Sequence, residues 1–381
     1  MKTYRLEEFY GLLAYHYAKA ENWERAQDYL LKAGDQAGKM AADAEALTHY
    51  QQAMAAYARA FGDKRDPMQR AALERNMGEA LSRRGDHQQA LDHLERALNY
   101  LGHPLPQSRW GVRLAIIKEL AQQVGHRLWP GLFLKNVGGE ASPAVVEEVL
   151  LYEAMSWIEV FANAERFLLV SLRELNVSER SGFHLGVVLA STGVGFTCDF
   201  ISASGLAERY HRRAVALAEQ IQHPAAVGLA YYGLSAHGYY LGMLDSCIEH
   251  GQQATNSFRQ VGNLRSWGAV NLYVALVFAN RSDFPRALAS SQALIRSGQE
   301  GADPQVWSFG LYVQGYVQRY MGRLEEAIVD QQQVLKLAET VPDYITCILA
   351  GSELGNCYIY QGLFKHSFER AGYESENWRR A

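Results

Sequence analysis

The chain is poor in the residues that announce a secreted, strand-rich or nucleic-acid-binding protein. Its 381 residues include only four cysteines, Cys198, Cys247, Cys347 and Cys357. None forms a CxxC pair or has histidines at ligand spacing, so reduced, buried thiols are expected rather than disulfides or zinc ligands. Nine prolines are few for this length, and the Val/Ile/Thr alternation of strands is scarce, which favours helix. The formal net charge of −4 offers no basic field for nucleic acid or anionic lipid. The most apolar stretch, "HLGVVLASTGVGFTC" from His184, is too short and too glycine-rich to span a bilayer. The opening "MKTYRLEEFYGLL" lacks the apolar core of a signal peptide. A cytoplasmic protein with neither a membrane nor a nucleic-acid partner is expected.

Catalytic signatures are also missing. No Gly-x-x-x-x-Gly-Lys-Ser/Thr loop is present to cradle phosphates. The nearest approach, "GDQAGKM" from Gly34, has the wrong glycine spacing, carries Met40 where a hydroxyl should hold magnesium, and reads as helix interior. The twelve histidines, His16, His49, His87, His93, His103, His126, His184, His211, His223, His237, His250 and His366, form no His-Glu-x-x-His motif and are expected to be solvated or groove-facing. The carboxylate pairs Glu147-Glu148 and Glu325-Glu326 read as solvated helix faces. No Gly-x-Ser-x-Gly elbow occurs, and the GxG of "STGVGF" at Ser191 reads as a tight helix crossing. The expectation is no catalytic residue, no cofactor and no metal.

What the sequence does contain is periodicity. "GMLDSCIEHG" from Gly242, "SDFPRALASS" from Ser282, "GRLEEAIVDQ" from Gly322 and "GLFKHSFERA" from Gly362 share one pattern. Each opens on a small residue, places Leu or Phe two later, and another small residue three beyond that. Ala207, Cys247, Ala287, Ala327 and Ser367 stand forty residues apart. Twelve residues before each stand Gly195, Ser235, Ala275, Gly315 and Gly355, and seven before stand Phe200, Tyr240, Asn280, Tyr320 and Tyr360. Agreement of several columns at one spacing marks an internal repeat.

Helix packing gives the columns a physical meaning. Two antiparallel helices approach closely only where both side chains are small. The aromatic is expected to seal the end of the first helix before the glycine-containing turn. One hairpin cannot bury its apolar face, so hairpins must stack. The signature recurs in looser register at Ala14, Tyr17, Ala26, Leu30 and Ala33, again at Gly78, Leu81, Ala90, Leu94 and Ala97, and around Ala46, Tyr50 and Ala164. Proline and glycine in "LGHPLPQS" and "RLWPGLFLKNVGGEASP" interrupt it, with one apolar helix, "RWGVRLAIIKELAQQVG", between. The expected organisation is hairpins over 1–101, an irregular interruption over 102–143, and a second array over 144–381.

The small, aromatic and small columns resemble the tetratricopeptide repeat, whose period is about 34 residues. The fold implied is all-α, a right-handed superhelical solenoid of antiparallel hairpins, with helices or turns longer than usual. Three phrases, "LLAYHYAKAENWERAQDYLLKAGDQAGKMAADAEALTHYQQAM", "LGHPLPQS…HRLWP" and "GLAERYHRRAVALAEQIQHPAAVGLAYY", resemble more specifically the C-terminal array of large bacterial signalling proteins. There a class III adenylate or guanylate cyclase domain, or a kinase domain, precedes an AAA-type ATPase and then the array. The resemblance covers roughly residues 5 to 365. This sequence begins where the array begins; a fragment, a split gene product and a stand-alone descendant would all look alike.

The resemblance implies a non-catalytic scaffold for a protein or peptide, with cyclase or ATPase domains as partners in cis or in trans. Groove positions carried over from the tetratricopeptide family fall on Asp199, Tyr232, Tyr239, Leu272, Asn280, Tyr312, Tyr316, Arg319 and Asn356. Tyrosines there supply stiff contact area with a hydrogen-bonding tip. The alternative is that these tyrosines only pack between neighbouring hairpins. A rival function is a small-molecule or peptide sensor using the Tyr- and Trp-rich segment from Tyr231 to Tyr320, with Trp267 and Trp307.

Overall fold

The structure is a computed structural model that describes residues 9–39, 42–62, 66–133, 141–340 and 343–363. Among them are eighteen helices and no strand. The first five are α1 (Tyr10–Lys19), α2 (Trp23–Lys39), α3 (Asp43–Phe61), α4 (Pro67–Arg83) and α5 (His87–Tyr100). The next three are α6 (Arg109–Leu128), the single turn α7 (Pro130–Phe133) and α8 (Pro143–Ala162). Then follow α9 (Ala164–Ser181), α10 (His184–Phe200), α11 (Ser204–Ile221), α12 (Pro224–Tyr240), α13 (Leu244–Val261), α14 (Leu264–Asn280), α15 (Phe284–Glu300), α16 (Pro304–Tyr320), α17 (Leu324–Thr340) and α18 (Tyr344–Tyr360). The fold is an all-α, tetratricopeptide-like solenoid of helix hairpins. No described helix is long and apolar enough to cross a membrane.

Two compact units divide the chain, one of residues 1–107 and 142–155, the other of 108–141 and 156–381. The interruption expected over 102–143 therefore contributes α6 and α7 to the second unit. Of the repeat columns, Ser367 lies outside the described residues, as do His366 and Met40.

The forty-residue period is now accounted for by helix length. One repeat spends seventeen residues on α10, three on a turn, eighteen on α11 and two on the next turn. The turns are short and the helices long. The leading small-residue column is a backbone requirement: Ser202, Gly242, Ser282, Gly322 and Gly362 all have φ between 58° and 77°. That left-handed residue ends the first helix and lets the next amide reach back, as in Met243 N–H to Gly238 O at 2.8 Å and Arg323 N–H to Gln318 O at 2.9 Å.

The other two small columns meet at the crossing points. Ala207, Cys247, Ala287 and Ala327 are fully buried. Ser235 donates its hydroxyl to Cys247 O at 2.8 Å. A Cβ at Gly315 would sit 3.2 Å from Ala327 O, and one at Gly78 would sit 3.1 Å from Ala90 O. The GxG at Ser191 is likewise a crossing: a Cβ at Gly193 would meet Ser171 Oγ at 2.6 Å.

First and second helices of a hairpin have different burdens. Besides touching their sequence neighbours, α10, α12, α14, α16 and α18 touch one another in series. They are packed on several sides, so α10, α12 and α14 are apolar nearly all round. This explains the apolar stretch at His184. The second helices α11, α13 and α15 show an apolar stripe and a polar outer face.

Several expectations about polar groups are overturned. Glu147 and Glu148 are buried, not solvated. Glu147 receives Arg75 Nε at 2.7 Å, and Glu148 lies 3.1 Å from the Tyr152 hydroxyl that donates to it. His87, His126, His211 and His237 are buried as well. Each occupies the interior because a partner or a tight pack replaces its water. His126 Nδ1 and Gln123 Nε2 stand 2.7 and 2.8 Å from Glu179 on α9. Burial opposes the charge of Glu179, but hydrogen bonds from His126, Arg213 and Gln123 outweigh it and hold the carboxyl below its usual range. The opposite face of α6 stays exposed at Trp110, Leu114, Ile117, Val124 and Leu128.

The crossing constraint is testable by adding a methyl group. A Cβ at Gly298 would lie 2.3 Å from the Trp307 backbone nitrogen, whereas one at Gly205 meets nothing within 4 Å. Thermal denaturation should show Gly298→Ala destabilised by about 1–3 kcal/mol, since overpacking outweighs helix propensity. Gly205→Ala should be neutral or gain up to about 1 kcal/mol. Equal behaviour of the two variants would contradict the crossing geometry.

Candidate functional site

The series of first helices brings most of the groove residues named from the sequence into one continuous aromatic wall. Tyr232 on α12 is buried between Phe196 of α10, at 5.0 Å between ring centroids, and Tyr273 of α14, at 6.1 Å. Tyr239 packs edge-on against Tyr273 at 5.4 Å. Leu272, half-buried, packs against the core on both sides of α14. On α16, Tyr312 is buried and Tyr316 stands 6.2 Å from it. The Tyr316 hydroxyl donates to Asn280 Oδ1 at 3.0 Å, joining α16 to the exposed end of α14.

Arg319 closes the wall toward α18. Its guanidinium is paired with Glu353 and nearly buried, with the side chain 8% exposed. It also lies over the rings of Tyr320 at 4.3 Å and Tyr316 at 5.5 Å. Asn356 donates to the same Glu353 at 3.5 Å. Asp199 behaves differently from the rest. Its side chain is only 1% exposed and is held by His211 and His237 inside the α10–α11–α12 junction.

Sequence reading missed Tyr273 and Glu353. Both sit where the other repeats carry unrelated residues: Gly193, Gly233 and Val313 occupy their column. A search by column therefore passes over them. The aromatic column also differs from expectation. Phe200, Tyr240, Tyr320 and Tyr360 end their helices but do not seal them, being 41%, 42%, 55% and 68% exposed. The left-handed residue after each helix performs the termination, so the rings are left at the rim. Tyr240 and Tyr273 share a hydroxyl–hydroxyl bond of 2.7 Å there.

Two open grooves lie against α15 rather than along the wall. One, of about 540 Å³, is lined by Phe258, Arg259, Trp267 and Arg296. The other, of about 420 Å³, is lined by Ile295, Arg296, Trp307 and Gln314. Trp267 and Trp307 thus occupy separate grooves that share Arg296.

The architecture is that of a helical-repeat protein with a tetratricopeptide-like fold. Residues 42–101 match the tetratricopeptide repeat family. A search of the curated proteins finds no match. Among solved structures the chain is similar to BtubC (BKLC) from P. vanneervenii, at 16% identity over 57% of this chain and 91% of that one, with a TM-score of 0.44. It is similar to a Rap protein complexed with Competence and Sporulation Factor, at 11% identity over 82% and 92%, with a TM-score of 0.46. It is also similar to aspartyl phosphate phosphatase F from Bacillus subtilis, at 12% identity over 99% and 94%, with a TM-score of 0.47.

The wall's hydroxyls should ionise in a definite order. Tyr320 is held below the ordinary phenol range first by the Tyr316 hydroxyl, which approaches its oxygen at 3.4 Å, and then by Arg319. Burial pushes Tyr316 upward. In an ultraviolet pH titration, subtracting the Tyr320→Phe curve from the parent should reveal one phenolate forming below the ordinary value of about 10. Tyr316→Phe, which removes the hydroxyl whose one proton can turn from Asn280 Oδ1 to the Tyr320 oxygen, should move that step to higher pH. A difference curve centred above the ordinary value would contradict the geometry.

Proposed function

We propose that the chain is a non-catalytic scaffold that recognises a protein or peptide segment along the aromatic wall of its first helices. The observation that carries this reading is the run of rim rings, Phe200, Tyr240, Tyr320 and Tyr360, each exposed beside a buried aromatic layer. Stiff rings with free edges give large contact area at small entropic cost. Binding would therefore spread over several repeats rather than fill one cavity. The finer reading, taken from the phrase-level resemblance, is that the array serves an ATPase-coupled cyclase or kinase, in cis or in trans. Coupling then requires the partner to favour one arrangement of the array over another.

Isothermal calorimetry of the purified chain against cyclase–ATPase fragments tests both levels of the reading. A scaffold of this kind should bind, and Tyr320→Ala with Tyr360→Ala should each cost about 2 kcal/mol of affinity without loss of fold. Binding that ignores both substitutions would remove the wall from the interaction. Failure of every cyclase–ATPase fragment, with binding of other helical peptides retained, would remove only the finer reading.

A second reading rests on the grooves walled by Trp267 and Trp307. A small molecule seated there would change tryptophan fluorescence, whereas a segment on the aromatic wall would act chiefly on tyrosine. Saturable quenching abolished by Arg296→Ala, the residue common to both grooves, would favour the sensor.

A further inference from the structure

Three side chains from three consecutive helices converge inside the second unit. Asp199 comes from the last turn of α10, His211 from the middle of α11 and His237 from the last turn of α12. His211 Nε2 lies 3.0 Å from one Asp199 carboxylate oxygen, and His237 Nδ1 lies 2.6 Å from the other. The side chains are 1%, 0% and 6% exposed. One ligating atom from each lies within 4.8 Å of the others. We propose that Asp199, His211 and His237 form a buried site for a divalent transition-metal ion of the zinc type.

The repeat supplies its own control. At forty-residue spacing the place of Asp199 is taken by Glu159, Tyr239, Ala279 and Arg319. The place of His211 is taken by Ser171, Gly251, Ser291 and Gln331, and that of His237 by Thr197, Val277, Val317 and Cys357. Four other repeats thus stack with no such cluster, so the hairpin architecture does not require it. The site is also made room for. A Cβ on Gly195 or Gly233 would lie 2.5 Å from the His211 ring, so both glycines are needed for the imidazole to enter.

The donor set selects the ion. Two imidazoles and one carboxylate suit zinc and its neighbours, and leave a fourth position open; calcium and magnesium prefer all-oxygen shells. Tetrahedral ligation puts donor atoms about 3.3 Å apart, so the two contacts to Asp199 need open by less than about 1 Å, while the imidazole nitrogens, within 4.8 Å of each other, need close by no more than about 1.5 Å. Among the described residues the two imidazoles are the only ion-pair partners of Asp199. A divalent cation would supply the missing countercharge to this buried anion. To ligate through Nε2, His211 must carry its proton on Nδ1. Nδ1 is buried and without a hydrogen-bond partner, so it is unpartnered in either tautomer and the exchange forfeits nothing there.

The test uses the full chain stripped of metal with a chelator. Calorimetric titration with Zn²⁺ should saturate at about one equivalent, and Co²⁺ should give the visible absorption of a ligated, low-coordinate ion. His237→Gln and Asp199→Asn should each weaken Zn²⁺ binding by about 100-fold or more, at least the loss seen when outer partners of a ligand are removed. His250→Gln, a half-buried position on α13 outside the cluster, should leave binding intact. Circular dichroism reports whether each variant is folded. Should His237→Gln or Asp199→Asn unfold, imidazole-ring NMR of the unmodified chain decides: Zn²⁺ must shift the rings of His211 and His237. No saturable uptake, uptake indifferent to His237→Gln in a folded protein, or shifts confined to exposed histidines would each overturn the assignment.

Discussion

The rest of the structure depends on one steric condition: where two helices of a hairpin cross, neither can carry more than about one carbon beyond its backbone. Helices of seventeen residues have several turns of apolar surface to hide, and only close approach excludes water from it. Ala207, Cys247, Ala287 and Ala327 meet this condition on the second helices, and Gly195, Ser235, Ala275 and Gly315 on the first. These crossings lie close to the loop of each hairpin, at the fourth residue of each second helix. The larger residues Phe258, Phe309 and Trp267 pack together in one core cluster, away from those loops.

A consequence follows for the layer of first helices. α12, α14 and α16 are each flanked by their own second helix and by the first helices before and after them. Only the last turn escapes, and the chain must leave there through a left-handed residue. The rim rings and the Arg319–Glu353 pair stand at or near that end. The exposed chemistry is thus gathered where the fold has finished using side chains for packing, which is why a rigid core and an adaptable face coexist on the same helices.

Much of this was legible in the sequence because the causes are local and periodic. The crossing residues, the turn glycines and the apolar stripes recur at fixed offsets, and a repeat multiplies each weak signal. The charges were not legible. Glu147 looks like a surface acid because its partner, Arg75, lies 72 residues away on another helix. His211 and His237 look like stray polar residues because their partner Asp199 reaches them only after three helices have packed. Tyr273 and Glu353 escaped for the opposite reason: they complete a surface while breaking the column that reveals the surface. Periodicity locates what repeats share, and is blind to what one repeat adds.

Where repeats differ, however, the register makes the difference interpretable. Asp199, Tyr239, Ala279, Arg319 and Ile359 occupy one position on the five first helices α10, α12, α14, α16 and α18, so their chemistry can be compared without correcting for place. The acid at one end is satisfied internally by two imidazoles, and the guanidinium toward the other by Glu353. The face between them is left with phenol edges and no unpaired charge at these positions. A surface of that kind does little to steer a partner from a distance, since steering needs an uncompensated field. On the proposed reading it would work instead through ring contact after collision, which would place discrimination in the rate of leaving rather than of arrival. The two internally bonded side chains then matter as rigid fixtures: each ties neighbouring helices together and so fixes the spacing at which the rings between them are presented.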